Sequence, residues 1–571
     1  MEKEVFKSKY HREEPTINFD PNQTMYDAVF KNNSDNMDAN YANYFSKHKS
    51  YKELKEETDK LAVSLLSSGV KKEEKVAVLA LNTPEVASIL LGINKIGAVS
   101  YWLDASAPAS VILGYLKKYN IKKLFVFEPL LPIIENILPH TELDKIIVIP
   151  MPSLDKKDNI KSEGKIITYS DFINHNMKDN NKSKFEKDKP SIIIQSSGST
   201  GVSKSLVHTD FNFNNEILKM AYMDLPLVRD KKTLICVPPW IIYGLCNSLY
   251  SSLMFGEEAV YAVNYTEDMV YKNLGKYNFS YGVPVCYRYL YNKMEELKHA
   301  NTPEAQKQLK EIYEGIKPVD VFLSGGDKMT EEDIIKYQHM FNTPIVNGYG
   351  NNELVGAAIV SPLYANKPGS IGVPIHGNNV KTFNPDTDEE LENGEIGLIK
   401  INSESAFLKY LNQPEETKKI KQTINGEEWV DTGDLGYIDS DGYVYITGRN
   451  RYLIIDKNGF KISPESSENY IQSLPYVKEC AVVGVEVAEN DKVPMAFIEL
   501  EDEYKDNPDI IDQIEELSIQ NLKEYERPKL FKEIEKIPHK VNGGKRDNLL
   551  LENMAKEYVQ NGKGLVLKKE K

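Results

Sequence analysis

Short apolar runs that alternate with helix-like segments constrain the fold of this chain more than any other feature. The runs are rich in β-branched or aromatic residues, and they are VAVLAL from Val76, KLFVF from Lys123, KIIVIP from Lys145 and SIIIQ from Ser191. A short continuous apolar run fits a strand that is buried on both faces. Because helix-like segments separate the runs, the pattern predicts a mostly parallel α/β sheet.

The length and composition of the chain indicate a globular protein of more than one domain. It has 571 residues, of which 41% are hydrophobic and 27% charged. The net charge of -15 argues against a general nucleic-acid binder, so an anionic ligand would need a local pocket of amides or cations. The cysteines have neither metal-ligand nor disulfide spacing and are predicted to be buried free thiols: Cys236, Cys246, Cys286 and Cys480.

Neither a signal peptide nor a membrane span is predicted. The chain begins MEKEVFKSKYHREE, which is too charged for a signal peptide. The best candidate for a span begins at Ala87, but Asn94 and Lys95 interrupt it, so it predicts a buried helix instead. These features predict a cytoplasmic protein of enzyme size.

The segment SSGSTGVSKSLVHT, residues 196 to 209, follows the predicted strand SIIIQ directly. A Gly/Ser/Thr loop with a lysine offers backbone N–H groups, hydroxyls and one ammonium to an anion, and its glycines allow close approach to a phosphate. The spacing of Gly198, Gly201 and Lys204 is not that of a Walker A motif. Such a loop alone is equally compatible with a surface turn. The strand before it and a predicted helix through Phe213 and Met220 after it favour the anion site.

The pattern changes late in the chain. LGYIDSDGYVYITGR places Asp441-Gly442 between two alternating runs, which predicts a β-hairpin. After Arg449 the runs CAVVGV and MAFIEL predict strands, and helical spacing follows Pro508. We therefore predict two domains, residues 1–450 and 451–571.

A series of motifs stands in the order found in the adenylate-forming superfamily, and the resemblance covers nearly the whole chain. That family contains acyl-CoA synthetases, adenylation domains of peptide synthetases and luciferases. The matching motifs after the 196–209 segment are SGGDKM at 324–329, NGYGNNE at 347–353, GSIGVP at 369–374, GEIG at 394–397, VDTGDLGYIDSDGYVYITGR at 430–449, NGFKISPES, EYERPK at 524–529 and VNGGKRD at 541–547.

The resemblance implies a fold and a reaction. The fold is α/β: a large N-terminal domain of α/β subdomains with a small β-barrel-like part, followed by a small mobile α+β C-terminal domain. The reaction adenylates a carboxylate with ATP and Mg²⁺, releases pyrophosphate and transfers the acyl group to a thiol such as that of CoA. Adenylation needs positioning and charge neutralisation at phosphate more than covalent chemistry.

The resemblance also assigns roles to residues. It implies that the phosphates are bound by Ser196, Ser197, Gly198, Ser199, Thr200, Gly201 and Lys204. It implies that the rest of the nucleotide is bound by Gly325, Gly326, Asp327, Asn347, Gly348, Tyr349, Gly350 and Asn352, and that the ribose is bound by Asp434 with Arg449. Glu353 would hold Mg²⁺, since a hard cation prefers a carboxylate. Lys545 would be the catalytic lysine that bridges the acid and the α-phosphate, with Lys540 as the alternative. Arg451 would be the hinge, and Gly459, Phe460 and Lys461 the loop that meets the thiol.

Several positions depart from the family pattern. Ser203 and Ser205 stand where proline and glycine are usual, Asn352 and Val541 where threonine is usual, Ile241 where histidine is usual, and arginine is an unusual hinge residue. Serine at the first two positions keeps the loop polar but changes its stiffness.

The nature of the acid follows from residues 237 to 252, VPPWIIYGLCNSLYSS, which contain no acidic side chain. The ammonium of an amino acid would be costly in such an apolar pocket, so an amino-acid substrate is disfavoured. The stretch resembles a segment of acyl- and aryl-CoA ligases, with Trp240 in the place of its phenylalanine. We predict an apolar acid, fatty or aryl, with Trp240 and Tyr243 in its pocket.

The sequence is compatible with three functions. The leading hypothesis is a carboxylate–CoA ligase. The second is an enzyme that loads the acyl group onto a carrier-protein phosphopantetheine. The third, motivated by the substitutions above, is a non-catalytic nucleotide-binding homologue. The charged residues that the chemistry requires argue against the third, because all are present: Lys204, Glu353, Asp434, Arg449 and Lys545.

Overall fold

The computed structural model describes residues 9–151, 162–174, 182–196, 204–263, 266–300, 302–455, 461–488, 491–505, 507, 509–539 and 546–561. The chain divides into two compact units, Met1–Val380 with Ile401–Val430 and Lys381–Lys400 with Asp431–Lys571. The second unit thus includes residues that precede the predicted boundary at 450. Compactness does not test where a mobile domain begins, so that boundary stays a prediction.

The α-helices of the described residues are distributed along both units. In chain order they are α1 (Met25–Asn32), α2 (Tyr51–Ser67), α3 (Glu85–Lys95), α4 (Ala109–Lys118), α5 (Leu131–Ile137), α6 (Tyr169–Ile173), α7 (Asp210–Met220), α8 (Ser251–Phe255), α9 (Met269–Lys272), α10 (Pro284–Ala300), α11 (Pro303–Ile316), α12 (Glu331–Phe341), α13 (Pro414–Ile420), α14 (Pro464–Gln472), α15 (Ile510–Asn521) and α16 (Asn548–Gln560). A π-helical segment, Tyr243–Tyr250, precedes α8. None of the helices described is both long and apolar enough to cross a membrane.

Most strands of the described residues are short. In chain order they are β1 (Asn40–Tyr44), β2 (Lys47–Ser50), β3 (Lys75–Leu79), β4 (Val99–Trp102), β5 (Lys123–Phe127), β6 (Lys145–Ile149), β7 (Ile166–Thr168), β8 (Pro190–Gln195), β9 (Ser205–Thr209), β10 (Lys232–Ile235), β11 (Glu258–Tyr261), β12 (Phe279–Gly282), β13 (Val321–Gly325), β14 (Ile345–Asn351), β15 (Gly356–Val360), β16 (Val373–Pro374), β17 (Asn379–Phe383), β18 (Gly397–Asn402), β19 (Lys409–Tyr410), β20 (Lys421–Ile424), β21 (Glu427–Ile438), β22 (Val444–Arg449), β23 (Ile454–Ile455), β24 (Lys461–Ile462), β25 (Val477–Ala488), β26 (Asp491–Leu500) and β27 (Leu530–Glu533).

The first unit contains two mostly parallel sheets, as predicted. One has the order β19-β9-β8-β4-β3-β5-β6-β7, and the other has the order β16-β15-β14-β13-β12-β10-β11-β1-β2. The four apolar runs form β3, β5, β6 and β8, and the pairings β3–β4, β3–β5, β4–β8 and β5–β6 are parallel. The predicted buried helix at Ala87 is α3. The α/β class is therefore confirmed.

Strand β9 is not predicted by the sequence patterns, which place the 196–209 segment in a loop. Residues Ser205–Thr209 pair antiparallel with β8, so that Ser205 lies opposite Gln195. Hydrophobic packing stabilises this strand, because the side chain of Leu206 is fully buried and packs against Phe407 and Tyr410. The connection between the two strands is consequently shorter than the sequence suggests.

The second unit is α+β. Antiparallel β25 and β26 and parallel β27 form a three-stranded sheet, against which α14, α15 and α16 pack. The predicted hairpin at Asp441-Gly442 joins β21 to β22, and Gly442 has a left-handed φ of 89° at its turn. All four cysteines of the chain are free and buried, which confirms that prediction.

One carboxyl group of the first unit is buried in the core and accepts a hydrogen bond from a neutral hydroxyl. Glu257 is fully buried, and the hydroxyl of Thr233 donates to its Oε2 at 2.6 Å. Burial, which penalises the charged form, raises the pKa of Glu257 to about 8. At neutral pH the native protein therefore carries a proton that an unfolded chain, with a glutamate pKa of about 4.3, releases.

We expect Glu257→Gln to remove a pH-dependent penalty. Because the native state binds this proton more tightly, the wild-type free energy of unfolding falls as pH rises from about 4.3 towards 8. The amide cannot ionise, so relative to the wild type the variant should gain about 4 kcal/mol in the free energy of unfolding between pH 5 and pH 8.5. Urea unfolding at both pH values measures the difference. Parallel pH profiles for the two proteins would show that Glu257 is not protonated in the native state.

Candidate functional site

The carboxyl ends of β13 and β14 lie side by side in the first unit. The strands are parallel, and Gly325 lies opposite Gly348. Ligands of open α/β sheets bind outside the carboxyl ends of the strands, so this register brings SGGD and NGYGNNE to one edge. Gly326 follows with a left-handed φ of 83°, and the exposed Asp327 accepts from the backbone N–H of Lys328 at 2.8 Å.

The residues after Ile345 are held by sheet pairing. The side-chain amide of Asn347 donates to the Ser370 carbonyl at 3.0 Å, and Tyr349 is half-buried. At Gly350 an added Cβ would lie 1.3 Å from the Gly356 carbonyl oxygen, where β14 pairs with β15. The strand pairing therefore explains this glycine without any nucleotide.

Glu353 lies on a short 3₁₀ turn, Asn352–Leu354, that follows β14. The next residue, Val355, has a left-handed φ of 60°, which is a rare and strained conformation for a β-branched residue. The side-chain amide of Asn352 donates to the Gln195 carbonyl at 3.2 Å. This bond ties the turn to the end of β8, where the Gly/Ser-rich segment begins.

Ser196 and Lys204 close the two ends of that segment. The Ser196 N–H donates to the Lys204 carbonyl at 2.7 Å, and the Lys204 N–H donates to the Ser196 hydroxyl at 2.9 Å. Other predicted residues lie outside the part of the chain described: Ser197, Gly198, Ser199, Thr200, Gly201, Ser203, Gly459, Phe460, Lys540, Val541 and Lys545. The side chains of Arg451 and Lys461 are likewise not described.

Two residues that the sequence motifs did not single out contact the charged groups of Lys204 and Glu353. The hydroxyl of Tyr410 donates to Glu353 Oε1 at 2.6 Å, and the Lys204 ammonium lies 4.8 Å from the centroid of the Tyr410 ring. Lys204 also forms an ion pair with Glu416 at 2.6 Å. Hydrogen bonds from Lys204 and Lys419 lower the pKa of Glu416 to about 2. No pattern in KYLNQPEET marks either residue, because their roles depend on contacts across the fold.

The second unit brings the predicted ribose pair together. Asp434 and Arg449 lie opposite each other across the β21–β22 hairpin. Arg449 Nε lies 2.8 Å from Asp434 Oδ1, and the Asp434 side chain is only 5% exposed. The charged guanidinium of Arg449 thus fixes the carboxylate of Asp434. The backbone N–H of Asp434 donates to the Thr432 hydroxyl at 3.1 Å.

Trp240 and Tyr243 lie near the carboxyl ends of the strands in the first unit. The hydroxyl of Tyr243 donates to the Gly282 carbonyl at the end of β12, at 3.2 Å. An added Cβ at Gly325 would lie 3.1 Å from Tyr243 Cζ, so the ring lies against the end of β13. Trp240 is 9% exposed. Their place in an acyl pocket stays a prediction.

A divalent cation at this site would depend on phosphate ligands. In the described part of the chain, no three His, Cys, Asp or Glu side chains cluster as metal ligands. Mg²⁺ is commonly held by one or two carboxylates together with substrate phosphates. A single carboxylate at Glu353, connected to Lys204 through Tyr410, fits that mode of binding.

Comparison with known proteins defines the family. The AMP-binding enzyme model matches residues 29–411, and the model of the AMP-binding enzyme C-terminal domain matches residues 466–544. The chain therefore belongs to the AMP-binding enzyme family. This is the adenylate-forming superfamily whose motifs the sequence resembles.

Its relatives are CoA ligases by name. A probable 4-coumarate–CoA ligase 1 of Dictyostelium discoideum is 26% identical over 83% of this chain and 82% of its own length. The putative acyl–CoA ligase YdaB of Bacillus subtilis is 28% identical over 78% of this chain and 83% of its own. The crystal structure of the anthranilate CoA ligase AuaEII with anthranoyl-AMP has a TM-score of 0.80 at 21% identity and covers 95% of this chain and 99% of its own, which shows the same fold.

We expect Gly350→Ala to disrupt the β14–β15 pairing. The new Cβ would overlap the Gly356 carbonyl, so the strands must separate, at a cost of at least about 2 kcal/mol in the free energy of unfolding. Gly114→Ala is the matched control, because no atom lies within 4 Å of an added Cβ at that position in α4. It should be neutral or stabilising by up to about 1 kcal/mol. Equal unfolding midpoints for the two variants would contradict the pairing argument.

Proposed function

We propose that the protein is an ATP-dependent carboxylate–CoA ligase for an apolar acid, fatty or aryl. The observation that carries this proposal is that one tyrosine at the carboxyl ends of the strands contacts both a cation and a carboxylate. Lys204, at the base of the Gly/Ser-rich segment, and Glu353 are joined through Tyr410. The names of these relatives, which are acyl- and aryl-acid CoA ligases, support the same reaction.

In the first step one carboxylate oxygen of the acid attacks the α-phosphorus of ATP. The bond from that phosphorus to the oxygen bridging to the β-phosphate breaks, which gives acyl-AMP and pyrophosphate. Lys204 and Ser196, with the glycines and hydroxyls of the segment, bind the departing phosphates. Glu353 would hold Mg²⁺, which would supply charge neutralisation at the phosphates, and Lys545 balances the charge that develops at the α-phosphate.

In the second step the CoA thiolate attacks the acyl carbon, and AMP leaves. Asp434, held by Arg449, accepts from the two ribose hydroxyls, since one carboxylate can accept from both members of a diol. We propose that Arg451 is the hinge at which residues 451–571 rotate between the steps. Gly459, Phe460 and Lys461 then meet the thiol. Trp240 and Tyr243 face the acid, whose apolar character follows from the lack of an acidic residue in 237–252.

The function is tested by incubating the full chain with ATP, Mg²⁺ and a panel of fatty, aryl and short-chain acids, with and without CoA. We expect acid-dependent AMP and pyrophosphate, and acyl-CoA by mass spectrometry when CoA is present. An acyl-adenylate without acyl-CoA would indicate a carrier-protein phosphopantetheine as the acceptor. ATP binding without any acid-dependent turnover would support the non-catalytic homologue instead.

We expect Lys545→Ala to reduce acyl-adenylate formation about a hundredfold or more, while ATP binding persists. The lysine acts on charge that develops only as the acid attacks, so the bound ground state changes little. Acid-dependent pyrophosphate exchange measures the loss, and Lys540→Ala is the matched control. Loss of exchange in the Lys540 variant and normal exchange in the Lys545 variant would move the catalytic role to Lys540.

A further inference from the structure

The segment from β19 to α13, Lys409–Ile420, contacts both charged groups of the proposed phosphate site. Its first strand pairs with β9, so that Tyr410 lies opposite Leu206 two residues after Lys204. Its helix begins at Pro414 and carries Glu416 in its first turn. The segment thus approaches the end of the Gly/Ser-rich loop from the side opposite β8.

Packing and a backbone hydrogen bond hold Tyr410 in place next to Glu353. Its side chain is 4% exposed and packs on Leu206 and Phe407, and its backbone N–H donates to the Thr417 hydroxyl at 3.0 Å. From this position its hydroxyl donates to Glu353 Oε1 at 2.6 Å. The Phe407 N–H also donates to the Glu353 carbonyl at 2.7 Å, so the chain around Tyr410 holds both the backbone and the side chain of Glu353.

Glu416 engages the other charged group. Its Oε2 lies 2.6 Å from the Lys204 ammonium, and its Oε1 lies 2.5 Å from that of Lys419. Lys204 is 26% exposed and Glu416 33% exposed, so a phosphate can approach this ion pair from solvent. A phosphate oxygen that binds Lys204 competes with the carboxylate of Glu416, because both anions accept hydrogen bonds from the same three N–H groups of the ammonium.

We propose that Tyr410 is a positioning residue, which holds Glu353 for Mg²⁺ and supports Lys204 with its ring, and that Glu416 competes with the nucleotide phosphates for Lys204. The inference rests on the proposed function. It gives the two residues opposite effects on nucleotide affinity. The Tyr410 hydroxyl increases affinity only through the metal, whereas Glu416 decreases affinity with or without the metal. Return of Lys204 to Glu416 also compensates the charge left when pyrophosphate departs.

Calorimetric titration of ATP into the full chain, with Mg²⁺ and again in EDTA, tests both assignments. Tyr410→Phe keeps the ring and removes only the hydroxyl, so affinity should fall about tenfold with Mg²⁺ and stay unchanged in EDTA. Saturating Mg²⁺ should restore part of the loss. A merely structural role for the hydroxyl would weaken both titrations equally, and that result would overturn the Tyr410 assignment, as would wild-type affinity in both.

Glu416→Gln should tighten ATP binding about three- to fivefold in both titrations, because the neutral amide no longer competes for Lys204. Glu415→Gln is the matched control, since Glu415 is 77% exposed and pairs with Lys418. Unchanged or weaker binding in the Glu416 variant, or equal tightening in the control, would overturn the assignment. If the wild type binds ATP and both variants behave as expected but no acid is turned over, the ligase proposal fails and this inference stands.

Discussion

Strand β9 pairs with β8 on one side and with β19 on the other, and these pairings position Lys204 and Glu353. β8 and β9 close the Gly/Ser-rich segment at its base, where Ser196 and Lys204 exchange two hydrogen bonds. β19 adds Tyr410 to the same edge, and Tyr410 reaches Glu353 on the turn after β14. The buried side chain of Leu206 stabilises both pairings. This three-stranded edge therefore connects Lys204, in one sheet, to Glu353, on the turn after a strand of the other sheet.

Nearby carboxylates compensate the cations of the proposed site residues, in a protein whose net charge is -15. The ammonium of Lys204 is balanced by Glu416, and the guanidinium of Arg449 is balanced by Asp434. Each cation of the proposed nucleotide contacts thus has a carboxylate partner in the same unit. An anionic ligand gains from these cations only by the difference between its own contacts and those of the internal carboxylate.

The sequence predicted the elements better than the contacts between them. The apolar runs, the helix at Ala87 and the Asp441-Gly442 hairpin were predictable because each depends on local patterning. Strand β9 was not, since its burial depends on Phe407 and Tyr410, about two hundred residues away. In the site, Lys204, Glu353, Asp434 and Arg449 follow from motif resemblance. Tyr410 and Glu416 do not, because a tyrosine and a glutamate acquire these roles only when the chain folds.

The most direct test of adenylation follows the oxygen of the acid. The protein is incubated with ATP, Mg²⁺, CoA and an ¹⁸O-labelled carboxylic acid that it turns over, and the products are read by mass spectrometry. If a carboxylate oxygen attacks the α-phosphorus, each turnover transfers one ¹⁸O atom from the acid to the phosphate of AMP. Label in inorganic phosphate, or AMP formed without label, would contradict an acyl-adenylate intermediate.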